Sequence, residues 1–391
     1  MELADRAEMR FPEEEYQRRL VTFREALAAE GVDVYLGSLP EHMNYFTGFD
    51  PTGLYFYQKL FLTPGSAPPV LLTHKCEQQL ARVTSWLEDV RIWTHGQDPV
   101  EITVAILTEL GLAGGMTLGL EMESWYLKPA TVKRLETAFP GVRIVDVTWI
   151  GQEQRMRKSP LEIAYIRQAA RFADIGMAAA VEQLRPGVRE LDIHAEIQRA
   201  LATAGSEYPA LPTIMGSGPR SGLFHALPSE RVVQDGDPVM FEITGSRARY
   251  NSNIVRTLVA GAASDELKTL WDVVTGAFWA GFEITRPGTP VGEIDRVTRE
   301  ARKDYADFIP ARAGFGMELA YPPVWLGRPD ILEGDEHVLE PGMVFSLEPS
   351  VAMYRGVSMI FGFNILVTID GAEILHRTPA DLFEVRSGRT S

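Results

Sequence analysis

His225, Glu242, Asn253 and Glu348 are the residues of this 391-residue chain whose types and settings can do chemistry. Glu242 closes the apolar run in "GDPVMFEITGSRARYNSNIVRT", where a Gly-Asp turn leads into a strand and a hairpin returns to Asn253 and Arg256. Glu348 has the matching place in "EPGMVFSLEPS". Two carboxylates facing one partly apolar cleft repel, so one pKa rises unless a positive group enters. A cationic ligand would relieve that repulsion, and Phe315, Trp325, Phe361 and Phe363 are aromatic candidates for cation–π contact with it. Arg256 is a competing in-chain cation, and its simpler role is a salt bridge that holds the hairpin. His225 carries an imidazole, which near neutral pH both donates and accepts a proton and so suits general acid–base work.

The elements that must position these groups repeat. "GMAAAVEQLRPGVRELDIHAEIQRAL" is echoed by "GAFWAGFEITRPGTPVGEIDRVTREA" about a hundred residues later. Each copy reads as a helix, an Arg-Pro-Gly break and a second helix, followed by a turn and a strand ending in a glutamate. Two such units related by a pseudo-twofold axis would bring Glu242 and Glu348 together. Upstream, Tyr16, Leu20, Phe23 and Leu27 predict a helix over 12–30. Short strands "VDVYL", "PVLLT", "VRIW", "TLGL" and "VRIVD" alternate with helical stretches, which predicts an α/β domain over 1–150. Ser159-Pro160 opens a long amphipathic helix, and a second domain covers 151–391.

Apolar residues make up 45% and charged residues 23%, the balance of a globular protein, and the net charge is −15. That charge disfavours phosphate-backbone binding, so nucleic acid is not an expected partner. No apolar run is long enough to span a membrane and no signal core opens the sequence, which together predict a cytoplasmic protein. The one cysteine, Cys76, excludes an intrachain disulfide and a thiolate metal cluster and is expected to be a small buried side chain.

Several motifs together, "RMRKSPLEIAYIRQAARFAD", "GSGPRSGLFHALPSERVVQDGD", "RYNSNIVRT" and "PGMVFSLEPSV", resemble the creatinase/aminopeptidase-P/prolidase family over nearly the whole chain. The resemblance implies an α+β architecture: a pita-bread C-terminal domain behind a smaller α/β creatinase-type N-terminal domain. It also implies five metal-ligand positions. The two aspartate positions fall on Glu242 and Asn253, the histidine on Phe315, and the two glutamates on Glu348 and Gly362. Two divalent ions need several oxygen or nitrogen donors, and two carboxylates with one amide do not supply them, so no metal and no other cofactor is expected.

His225 lies eleven residues before the Gly-Asp turn, as the corresponding family histidine does, which implies that it sits beside the substrate. Creatinase-like chemistry uses a second histidine near "GFGMELAYPP"; this chain has Tyr321 and Pro322 there, and Tyr321 could supply a hydrogen bond or simply pack. Among metal-free members the chain is most similar to ectoine hydrolases, whose chemistry would make Glu242 a nucleophile toward an amidine carbon. The expected activity is therefore metal-independent hydrolysis of a non-peptide C–N bond in a small cationic amidine or guanidine. Asn253, Phe315, Tyr321, Trp325, Phe361, Phe363 and Arg256 are expected to line the substrate site. The alternatives are an Xaa-Pro dipeptidase or aminopeptidase, and an inactive pita-bread binding protein. By the same resemblance a homodimer is expected, with the aromatic loop holding Tyr45, Phe46, Phe49, Tyr55 and Phe56 helping to cover the partner's pocket.

Overall fold

A computed structural model describes residues 4–309 and 312–385 and divides the chain into two compact units, Met1–Gln154 and Arg155–Ser391. In the first unit, strands β1 (Val34–Gly37), β2 (Lys59–Leu62), β3 (Val70–His74), β4 (Asp89–Trp93), β5 (Thr117–Leu120) and β6 (Arg143–Asp146) form one sheet in the order β4-β3-β2-β1-β5-β6. Pairing is antiparallel for β1–β2 and β2–β3 and parallel for the others. The helix Glu13–Ala29 buries Tyr16, Leu20, Phe23 and Leu27, the stripe its spacing predicts. Tyr45, Phe46 and Phe49 are core residues of this unit, whereas Tyr55 is 83% exposed. Cys76 is exposed, against expectation, because the turn Lys75–Glu77 carries it out of the strand that precedes it. No helix among the described residues is long and apolar enough to cross a membrane.

The second unit makes the sequence echo physical. Its described strands are β7 (Ile214–Ser217), β8 (Asp237–Arg247), β9 (Tyr250–Ala260), β10 (Gly314–Met317), β11 (Leu326–Ile331), β12 (Val344–Leu347), β13 (Ser350–Tyr354), β14 (Val357–Val367), β15 (Ala372–Ile374) and β16 (Glu384–Val385). The main sheet runs β11-β10-β12-β14-β9-β8-β7, with β13 paired to β14. Helices Pro160–Gln183 and Glu190–Ala204 precede the first half, and Asp265–Ile284 and Val291–Ala301 precede the second. Ser159 caps the first of these through a capping box with Glu162.

At the first Arg-Pro-Gly break, the Gly187 N–H donates to the Val233 carbonyl at 2.9 Å; at the second, the Gly288 N–H donates to Leu339 at 2.9 Å. The strand-leading turns match too. Gly236 (φ +81°) donates to the Ala260 carbonyl, and Gly342 (φ +90°) to that of Val367. Both turns need the left-handed region that glycine enters freely. Each glutamate then follows its glycine by six residues, so the two strands deliver carboxylates at equivalent heights. The halves meet where β14 pairs with β9, Phe361 opposite Arg256 and Gly362 opposite Val255.

Candidate active site

Register decides which side chains can meet, because residues directly opposite in antiparallel strands share a face. Glu242 lies opposite Val255 on β9 and Ile214 on β7, and Asn253 opposite Thr244. Gly362 joins this face through Val255. Ser346 lies opposite both Asn364 and Phe315. One side of the sheet therefore presents Glu242, Asn253, Ser346, Phe315 and Gly362 from five different strands.

Side-chain bonds close the group. The Asn253 amide Nδ2 donates to Glu242 Oε1 at 2.7 Å and to Glu348 Oε2 at 3.4 Å. The Ser346 hydroxyl donates to the same Glu348 oxygen at 3.0 Å. The Asn253 amide cannot turn over freely. Its Oδ1 accepts from Asn364 Nδ2 at 2.8 Å, while its backbone N–H donates to Asn364 Oδ1 at 3.0 Å. Asn364 thus fixes the NH2 end of Asn253 between the two acids.

Both glutamates are packed among protein atoms with part of their surface still open. Burial pushes the Glu242 carboxyl up to about 7, against the Asn253 hydrogen bond that lowers it. Glu348 is likewise held well above the usual carboxylate range, first by burial and then by repulsion from Glu242; Ser346, Asn253 and Arg312 oppose the rise. Burial and mutual repulsion therefore both favour a proton held within the pair, shared by two acids that interact directly. Beside it lies an apolar wall of Ile214, Met240, Val255 and Ile360, with Phe224 packed against it.

Three expected site residues are corrected. Arg256, Phe361 and Phe363 occupy the opposite face of the sheet, since each is one residue out of phase with Val255 or Gly362. There the Arg256 guanidinium lies 4.3 Å from the Phe361 ring centroid and 5.0 Å from that of Phe363, and its Nη1 donates to the Pro379 carbonyl at 2.8 Å. Nor is it the expected salt bridge: the rings and carbonyls hold it, and burial lowers its pKa to about 9.

Tyr321 is buried by the tip of the β8–β9 hairpin, where the Arg249 guanidinium stands 5.4 Å from its ring. Trp325 and Phe315 do pack together, centroids 5.1 Å apart. His225 is exposed on the loop beside Phe224, and its ring bonds to neither carboxylate. Ser346, Asn364 and the apolar wall are the residues that sequence reading passed over. Counting outward by twos from Glu348, Gly362 and Glu242 along their strands would have found Ser346, Asn364 and Met240.

Asn253→Asp tests the amide's place between the acids. A third carboxylate removes the shared donor and adds repulsion, so unfolding free energy at pH 8 is expected to fall by about 2 kcal/mol, read by urea titration.

Two family models match the chain: "Metallopeptidase family M24" over residues 164–370 and "Creatinase/Prolidase N-terminal domain" over 19–157. The ectoine hydrolase of Halomonas elongata is 27% identical over 393 aligned residues, 95% of this chain and 98% of that protein. An Xaa-Pro dipeptidase of Pyrococcus furiosus is 28% identical over 368, covering 94% and 99%. Among solved structures, the prolidase of Pyrococcus horikoshii superposes with a TM-score of 0.83 at 25% identity, covering 94% of this chain and all (100%) of that one.

Metallopeptidases imply a metal centre, and the residues here do not fit one. Among the described residues no group of three or more His, Cys, Asp or Glu is placed to hold an ion. Asn253 turns its hydrogen-bond donor, not its oxygen, toward the two acids. Phe315 offers no lone pair. A Cβ on Gly362 would stand 2.6 Å from Val255 Cγ2 and 2.7 Å from both Glu348 Cβ and the Leu347 carbonyl oxygen, so no acidic side chain can be added there without moving the strand that carries Glu348.

Proposed function

The chain belongs to metallopeptidase family M24, with a creatinase/prolidase N-terminal domain, and from that premise we propose that it hydrolyses a non-peptide C–N bond of a small cationic amidine or guanidine without a metal centre. The observation that carries this reading is the Asn253 NH2 group held between Glu242 and Glu348. It satisfies carboxylate oxygens as a neutral donor and leaves the acids to attract an organic cation.

An amidinium or guanidinium is planar, already electrophilic at carbon, and able to donate hydrogen bonds to both acids at once. The unequal environments assign the roles. Glu242, which accepts one side-chain hydrogen bond where Glu348 accepts two, is the carboxylate that attacks the electrophilic carbon and forms the new C–O bond. Glu348 gives its proton to the departing nitrogen as the C–N bond breaks. Water then cleaves the new C–O bond and returns a proton to the pair. The apolar wall of Ile214, Met240, Val255 and Ile360 keeps the acids partly desolvated, which strengthens their hold on a cation.

A second reading, Xaa-Pro dipeptidase, draws on the 28% identity with the Pyrococcus furiosus enzyme. It requires water activated by metal. Protein stripped with chelator and assayed on ectoine, creatine and Xaa-Pro dipeptides separates the two. Undiminished turnover of an amidine or guanidine after stripping is expected. Dipeptide cleavage that returns only with Mn²⁺, Co²⁺ or Zn²⁺ would replace this reading with the second one. Stabilisation by the cations without turnover would point to a binding protein.

A further inference from the structure

We propose that the indole N–H of Trp325 is a hydrogen-bond donor to the substrate, and that it selects ligands carrying a carboxylate at the end remote from the acid pair. This rests on the reading above, in which Glu242 and Glu348 hold the cationic end.

Trp325 is only 2% exposed, and its Nε1 is shielded from solvent with no hydrogen-bond partner. Buried tryptophan N–H groups normally find one, since an unmet donor in the interior is unfavourable. The same chain shows the usual arrangement elsewhere. Trp86 Nε1 donates to the Phe46 carbonyl at 3.0 Å, and Trp93 Nε1 donates to that of Tyr57 at 2.8 Å. Trp325 alone of these three holds an unmet donor.

Its location ties it to the candidate site. The ring packs on Phe315 at 32°, and Phe315 lies opposite Ser346, whose hydroxyl donates to Glu348. Trp325 is therefore one aromatic ring beyond the strand pair that carries the acid. The Arg312 guanidinium lies 5.1 Å from the Phe315 ring and is itself ion-paired with Asp330, so it brings little net charge to this end. A buried N–H with no acceptor of its own suits a carboxylate oxygen, which accepts such a bond more strongly than a neutral oxygen does. In this assignment the acid pair takes the cationic end of the ligand and the indole takes its carboxylate. One in-chain acceptor competes: Glu318 Oε2 is also buried and unpartnered, and it belongs to the residue that follows Met317, the register partner of Leu326 next to Trp325.

The test uses paired probes on the full chain: ectoine against the same amidine ring without its carboxylate, and creatine against dimethylguanidine. Dissociation constants are measured by calorimetry, or kcat and KM where a probe is turned over. Wild type is expected to prefer each carboxylated probe by about 10-fold. Trp325→Phe keeps the aromatic packing and removes the N–H. It is expected to abolish that preference by raising Kd or KM for the carboxylated probes, leaving kcat and the carboxylate-free probes within about twofold. Equal effects of Trp325→Phe on both members of a pair, or none on either, would overturn the assignment and leave the functional reading standing. Equal wild-type affinity for both members would do the same without recourse to the variant. Failure of every cation to bind wild type would overturn the functional reading, and this assignment with it.

Discussion

Glu242→Gln is expected to lower turnover of an amidine or guanidine by at least about 10³-fold, since it removes the only attacking oxygen the proposed reaction has. It should do so without harming the fold. The amide is nearly isosteric, and its Oε1 can still accept from Asn253, which sits 2.7 Å from the native oxygen. What disappears is a carboxylate that burial opposes and that repels Glu348. Unfolding free energy at pH 8 should therefore rise, by about 1–2 kcal/mol, as happens when a strained functional group is replaced by an inert one. The two readouts together are diagnostic. Lost activity with an unchanged or higher melting temperature marks a reacting group. Activity within tenfold of wild type would show that the chemistry belongs elsewhere, and a sharply lower melting temperature would show that Glu242 is structural.

The sequence reading reached this pair because its signals are local. Two Arg-Pro-Gly breaks, two glycine turns and two glutamates in the same order can be aligned by eye, and the structure gives them equivalent hydrogen bonds at Gly187 and Gly288. The pita-bread architecture and its N-terminal companion were legible for the same reason. What failed were questions of facing. Phe361 and Phe363 are aromatic and near Gly362 in sequence, yet strand alternation turns them into the helix-covered core around Arg256. Applying period two from Gly362 would have shown it.

The orientation of Asn253 could not be read at all. It depends on Asn364, which lies 111 residues away and reaches it only once the two halves have paired. The crowding at Gly362 is likewise a property of three strands, not of one segment. His225 kept its spacing from the Gly-Asp turn but occupies an exposed loop, where backbone conformation rather than strand register aims the ring.

The same pair of acids should write itself into the pH dependence of stability. Glu242 has a folded-state pKa of about 7, against about 4.3 for an unfolded glutamate. A raised pKa contributes stability that is complete below the unfolded value and is lost as pH climbs through the folded one. The window is therefore about pH 4.3 to 7. Full conversion of the shift would give roughly 4 kcal/mol, and the partial exposure of Glu242 reduces this to about 2 kcal/mol. Glu348 acts in the same direction.

Other groups oppose this trend. Burial lowers Lys59 to about 7 and Lys158 to about 8, and such lysines favour the folded state increasingly as pH rises. The net curve alone is thus not decisive, but the difference between wild type and Glu242→Gln/Glu348→Gln isolates the pair. From urea unfolding at pH 5 and pH 8, the double variant is expected to gain about 2 kcal/mol relative to wild type between the two conditions. A difference that stays flat would mean that the carboxylates ionise as though exposed, and the electrostatic basis for attracting a cation would go with it. A bound amidinium should reverse the wild-type penalty: it neutralises the pair, so its affinity must increase as pH rises through about 7. Under the proposed function, the acid pair binds an organic cation most tightly where the empty site is least stable.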